Sequence, residues 1–176
     1  MGKSSLLALP PLSLYVHLPW CVRKCPYCDF NSHELRGDLL QQEYVDALLR
    51  DLELELPLIW GRPVHSIFFG GGTPSLFSAG QIGRLLQGVR GLLALTPDVE
   101  VTLEANPGTT ERDSFSAYRE AGVNRISLGV QSFHDDSLRR LGRIHGRDEI
   151  FTALESIHRA GIGNFNLDLM YALPGQ

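Results

Sequence analysis

Apolar and polar residues alternate along several short stretches of the chain, and between these stretches the apolar residues recur with a helical period. Leu12-Ser13-Leu14-Tyr15-Val16-His17-Leu18 alternates as a short strand does, and Pro19 ends it. Asp38, with Gln41 three residues on, has the spacing of a capping box. Leu40, Tyr44, Ala47, Leu48 and Leu52 then fall at helical spacing until Pro57, which is expected to close the helix. Ser66-Ile67-Phe68-Phe69 reads as a buried strand leading into Gly70-Gly71-Gly72-Thr73-Pro74. Ser78, with Gln81, repeats the cap signal ahead of Ile82, Leu85, Leu86, Val89 and Leu93 on one helical face.

Val99-Glu100-Val101-Thr102-Leu103-Glu104 alternates strictly, and Asn106-Pro107-Gly108 breaks it. The spacing predicts a third helix over 110–121 stopped by Gly122, and a fourth strand over 125–130 running to Gln131. A short helical piece over 135–141 precedes a helix over 148–160, with Ile150, Phe151, Leu154 and Ile157 on one face and Gly161 at its stop. A fifth strand covers 164–168, and Leu173-Pro174-Gly175 reads as a loop. Such alternation predicts an α/β fold, with about five parallel strands and helices outside them, as in a partial (β/α) barrel. The units recur at roughly 30–40 residues, the size of a βα unit rather than of a solenoid repeat. No linker or low-complexity segment interrupts residues 1–176, which read as one domain that stops where a sixth unit is expected.

A net charge of −4 offers no basic footprint, so nucleic acid is not an expected partner. No apolar segment approaches the length needed to cross a bilayer, so no transmembrane segment is expected. Residues 1–14 are broken by Pro10 and Pro11, so no secretory signal is expected there. Gly2 lacks the Ser or Thr that a myristoylation site wants, since position 6 is Leu6, and Gly2-Lys3-Ser4 has no upstream strand to make it a phosphate loop. A cytoplasmic, reducing location is the expectation.

Within that frame the cysteines change the picture. Cys21, Cys25 and Cys28 are the only ones in the chain and stand in a C-x3-C-x2-C spacing just after the first strand. Three thiols packed so closely point to shared ligation. A structural zinc site would need a fourth ligand, His17 or His33, at an unusual offset. Cys25-Pro26-Tyr27-Cys28 resembles a glutaredoxin dithiol, which leaves Cys21 without a role. An iron–sulfur cluster takes three thiolates and keeps one iron open for a chelating small molecule. Several strands also end in polar groups, Glu104, Gln131 and Asp168, on the edge where βα barrels carry their sites. Each has an ordinary reading as a cap, a turn or a surface charge.

The cysteine spacing, with Tyr27 before the last thiol, resembles the signature of the radical S-adenosylmethionine (SAM) superfamily. Over nearly the whole chain the sequence is similar to the oxygen-independent coproporphyrinogen III oxidase family, and within it to the HemW-type heme chaperones. The matching segments are residues 15–21, 25–30, 70–74, 104–107, 128–133, 141–143 and 168–175. The resemblance implies a [4Fe–4S] cluster on Cys21, Cys25 and Cys28, with Tyr15 and Tyr27 beside it and SAM chelating the open iron. It further implies that Gly71, Gly72 and Thr73 meet the methionine end of SAM, while Glu104, Gln131, Arg143 and Asp168 hold its carboxylate, ribose and adenosine side. Electron transfer into SAM, from a separate electron donor, would give a 5′-deoxyadenosyl radical. The oxidases act in porphyrin biosynthesis and carry a further cysteine where this chain has Phe30. That difference favours a chaperone that binds heme as cargo and passes it to respiratory heme proteins; oxidative decarboxylation of a porphyrinogen is the alternative. No histidine stands out as the heme ligand.

Overall fold

A computed structural model describes residues 9–108, 114–173 and 175–176. Its elements run β1 (Leu12–Leu18), β2 (Trp20–Cys21), β3 (His33–Glu34), α1 (Gln41–Ile59), β4 (Val64–Gly71), a 3-10 turn at Pro74–Leu76, α2 (Ala79–Leu92), β5 (Leu95–Ala105), α3 (Phe115–Ala121), β6 (Arg125–Gln131), α4 (Asp135–Arg140), α5 (Arg147–Arg159) and β7 (Asn164–Leu169). Among the described residues β1, β4, β5, β6 and β7 form one five-stranded sheet in that order, every neighbouring pair parallel. Sequential order with a helix in each crossover is the expected partial βα barrel.

Alternation decides which way each side chain points. One face of the sheet carries Val16, Leu18, Ile67, Phe69, Val101, Leu103, Ile126, Leu128 and Val130, all buried with Ile82, Leu86, Tyr118 and Ile150 from the helices. Burying one such large side chain contributes about 1.5–3 kcal/mol, so this layer supplies much of the fold's stability. The opposite face carries Phe68, Thr102, Glu104, Arg125, Ser127, Asn166 and Asp168. Register sets Phe68 beside Thr102, Thr102 beside Arg125, Glu104 beside Ser127 and Ser127 beside Asn166.

Helix ends follow their local chemistry, with corrections. Ser78 caps α2 by accepting from the Gln81 amide at 3.3 Å, and Gly122 closes α3 in the left-handed region with φ 111°. The Asp38 capping box does not form: the N-cap of α1 is Leu40, whose apolar side chain has no atom to cap with, and Gln41 Oε1 accepts from the Ser78 amide at 2.8 Å. Pro57 does not close α1, which runs on to Ile59. The missing amide falls in the last turn, so the lost hydrogen bond is confined to the helix end. The start of the helix expected over 110–121 lies outside the described residues, and α3 is described from Phe115. Phe151, expected on the buried face of α5, is 44% exposed, with the Arg147 guanidinium 5.5 Å above its ring.

Candidate functional site

The loop after β1 is tied down at its base and carries a further turn at its tip. β2 and β3 form a two-residue ladder, and the His33 and Leu35 amides donate to Pro19 and Cys21 carbonyls at 2.7 and 2.8 Å. Trp20 anchors the base edge-on against Tyr44, ring centroids 4.6 Å apart. Within the loop the Cys28 amide donates to the Cys25 carbonyl at 3.0 Å, and Lys24 Nζ braces the far side by donating to the Ser32 carbonyl at 2.9 Å.

Packing against this base explains the glycine turn. The Gly72 amide donates to Leu18 O at 2.9 Å and the Thr73 amide to Trp20 O at 2.7 Å. A Cβ on Gly72 would lie 2.5 Å from Trp20 O, and Gly71 holds φ 120° with His17 against it. Gly72 is therefore required for backbone-to-backbone approach, and Gly71 for its positive φ.

Cysteine loop, glycine turn and strand ends enclose one cavity of about 640 Å³. Cys21, Cys25, Cys28 and Tyr27 line one wall; Gly71, Gly72, Thr73, Glu104, Gln131, Arg143 and Asp168 line the rest. Tyr15, expected beside the cluster, does not line it. Its hydroxyl bonds His17 Nδ1 at 2.9 Å, and His17 Nε2 bonds the Asn31 carbonyl at 2.8 Å, which links Tyr15 to the cysteine loop through His17. With both ring nitrogens of His17 engaged, it is not available as a fourth ligand.

Arg143 joins the walls. Its Nη1 lies 3.5 Å from Cys25 Sγ and from the Tyr27 hydroxyl, its Nη2 donates to the Gly129 carbonyl at 2.9 Å and to Asn106 Oδ1, and its Nε is buried with no hydrogen-bond partner among the described residues. Gln131 sits at the end of β6 with φ 66°, a strained conformation for a side-chain-bearing residue, and its carbonyl accepts from Met170. Burial pushes the Glu104 carboxyl up and nearby Asp168 adds to this, while the Gly71 amide, 3.3 Å away, opposes both. Burial likewise raises the Cys21 thiol, against hydrogen bonds from Thr73 and Ser32.

The donor set suits a cluster rather than a single ion. The three thiols are free and partly buried, with a guanidinium beside Cys25 to offset negative charge. Among the described residues no three His, Cys, Asp or Glu side chains converge tightly enough to hold one ion. Thiolates on separate corners of a cubane stand further apart than ligands sharing one metal, and soft sulfur donors match iron–sulfur chemistry. Sequence reasoning missed Phe68, Asn106, Arg125, Ser127 and Asn166, which also line the cavity. For the strand residues the signal was available: Arg125, Ser127 and Gly129 on β6, and Asn166 and Asp168 on β7, repeat with the period of two that sets Thr102 and Glu104 on one face.

The family model described as the Radical SAM superfamily matches residues 15–176. The chain is 56% identical over 171 residues to the heme chaperone HemW of Escherichia coli (strain K12), covering 97% of this chain and 45% of that protein. It is 53% identical over 172 residues to the heme chaperone HemW of Haemophilus influenzae, with 96% and 45% covered. It thus spans less than half the length of these curated relatives. Among solved structures it resembles coproporphyrinogen III oxidase HemN from Escherichia coli, a radical SAM enzyme, with TM-score 0.84 and 36% identity over 94% of this chain and 38% of that one.

Proposed function

The chain belongs to the radical SAM superfamily, and we propose that it binds a [4Fe–4S] cluster through Cys21, Cys25 and Cys28, holds SAM beside it, and serves as part of a heme chaperone. The observation that carries this reading is the convergence of three free thiols, the glycine turn and the polar strand ends on one cavity. When bound, the cluster and SAM supply an electron and a cleavable sulfonium.

The chain's own residues do the binding and orienting. Gly71, Gly72 and Thr73 leave room for the methionine end of SAM, and Arg143, with one buried nitrogen still unpaired, suits a carboxylate. Glu104 and Asp168 accept from hydroxyls, and Gln131 and Tyr27 border the same space. The cargo is heme, destined for respiratory heme proteins, with a separate electron donor serving the cluster in the cytoplasm.

The chaperone reading is favoured over an oxidase by the higher identity to HemW proteins than to HemN. Phe30 supports it from the site itself: its ring lines the cavity and is 65% exposed, so a side chain with no thiol and no exchangeable proton stands there. The test is to reconstitute the full-length protein anaerobically and measure iron and sulfide, the effect of SAM on the reduced cluster's electron paramagnetic resonance, heme binding, and coproporphyrinogen turnover. Cluster, SAM response and heme binding without turnover are expected. Production of protoporphyrinogen would overturn the chaperone reading, and stoichiometric zinc in place of iron would overturn the cluster.

A further inference from the structure

Asp168 is held from the protein side on both carboxylate oxygens. Ser127 Oγ donates to Oδ2 at 2.9 Å, and Asn166 Nδ2 donates to Oδ1 at 2.8 Å. Asn166 Nδ2 also donates to Ser127 Oγ at 3.1 Å, so its two hydrogens serve the carboxylate directly and through the hydroxyl. An asparagine amide can be turned over unless a neighbour tells its oxygen from its nitrogen. Arg125 is that neighbour: its Nη2 donates to Asn166 Oδ1, and a guanidinium has no acceptor, so the amide nitrogen must face Asp168. Arg125 is fixed in turn by Thr102 Oγ1 at 3.2 Å from Nη1 and by Glu100 at 3.8 Å from Nε.

The donor direction is therefore fixed at both ends, by a guanidinium that can only donate and a carboxylate that can only accept, and it runs from Arg125 through Asn166 to Asp168 across β6 and β7. A carboxylate offers about four lone-pair sites, of which the protein occupies two, leaving the others for the cavity that Asp168 lines. We propose that Arg125 and Asn166 are positioning residues that lock the Asp168 carboxylate so that it accepts from the two adjacent hydroxyls of a vicinal diol. This rests on the reading that SAM, whose ribose carries such a diol, occupies the cavity. Arg125 and Asn166 also border the cavity, and the role proposed for them acts through Asp168.

The test uses the anaerobically reconstituted full-length protein and compares the affinities of SAM and its 2′,3′-dideoxyribose analogue by equilibrium dialysis, with iron content and thermal midpoint alongside. The unsubstituted protein is expected to prefer SAM by roughly tenfold or more, the scale of hydrogen bonds to a charged acceptor. Asp168→Asn should bring that ratio to within about twofold of unity, and Asn166→Ala and Arg125→Met should each lower it severalfold with iron content retained. A merely structural role for Asn166 and Arg125 would weaken both ligands alike and preserve the ratio, which would overturn the positioning role alone. Equal affinities in the unsubstituted protein would overturn the assignment of Asp168 to the diol and this inference with it. Absence of SAM binding would overturn the functional reading beneath both. Ser127→Ala, which removes one of the two donors, decides the matter if Asn166→Ala yields no folded protein: a partial fall in the ratio supports the proposal, an unchanged ratio overturns it.

Discussion

The wall that carries Cys21, Cys25 and Cys28 is a loop with partly buried thiols and a two-residue ladder at its base, whereas the facing wall is made of in-register strands whose inward side chains already bond one another. On the strand wall, folding alone orients Asp168, Asn166 and Arg125. On the cysteine wall, folding brings three thiols to one space, and their convergence is left to whatever they ligate. A cluster bound there would tie the three thiols to one another, a link that the loop's own hydrogen bonds do not supply.

The largest effect expected is all-or-none and falls on the cysteine wall. Cys25→Ala should abolish the cluster, read as iron and sulfide content after anaerobic reconstitution, while far-UV circular dichroism stays that of the unsubstituted apoprotein. An iron content near that of the unsubstituted protein would break the contrast, since the wall would then need something other than its thiols.

A substitution beneath the strand wall should do the reverse. Phe69 is fully buried on the helix-facing side of β4. Phe69→Ala should cost about 3–5 kcal/mol of folding stability in a denaturant titration, with cluster content per folded molecule unchanged. Gly72 lies where the two regions meet, and Gly72→Ala should fall between these extremes. Its new Cβ would lie 2.5 Å from Trp20 O, a clash with backbone that only movement of the loop base can relieve. The expected cost is about 1–3 kcal/mol together with reduced cluster content. Full cluster content in Gly72→Ala would show that the loop base tolerates the shift.

The sequence made some of this contrast legible. The alternation of Val99 to Glu104 separated inward from outward residues correctly, and the spacing of Cys21, Cys25 and Cys28 identified the loop without any tertiary information. Local reading did less well where long-range partners decide. Gln41 looked like half of a capping box with Asp38, but the Ser78 amide, distant in sequence, takes its side chain. Gly72 read as an opening for a ligand, and the structure adds a second reason for it in the approach of Trp20. Arg125 and Asn166 sat inside correctly expected strands, yet their importance comes from hydrogen bonds across strands that no local pattern encodes.

The smallest effect expected is the most diagnostic of the strand wall's electrostatics. Burial, and to a lesser degree the charge of Asp168, raise the folded-state pKa of Glu104 above its ordinary value, with the Gly71 amide working against both. Between those two values the unfolded chain has released the Glu104 proton while the folded chain still holds it. The folded state then binds more protons, so stability falls as pH rises through that window and levels off above the raised pKa. Glu104→Gln should remove this slope, leaving a flatter stability profile through the mildly acidic range in a series of denaturant titrations. Asp168→Asn should only reduce the slope, because desolvation is the larger cause and persists without the neighbouring charge. SAM affinity should move oppositely, strengthening as pH rises and Glu104 becomes an acceptor-only carboxylate. A slope that persists in Glu104→Gln would assign it to another group and remove Glu104 from the account of this wall.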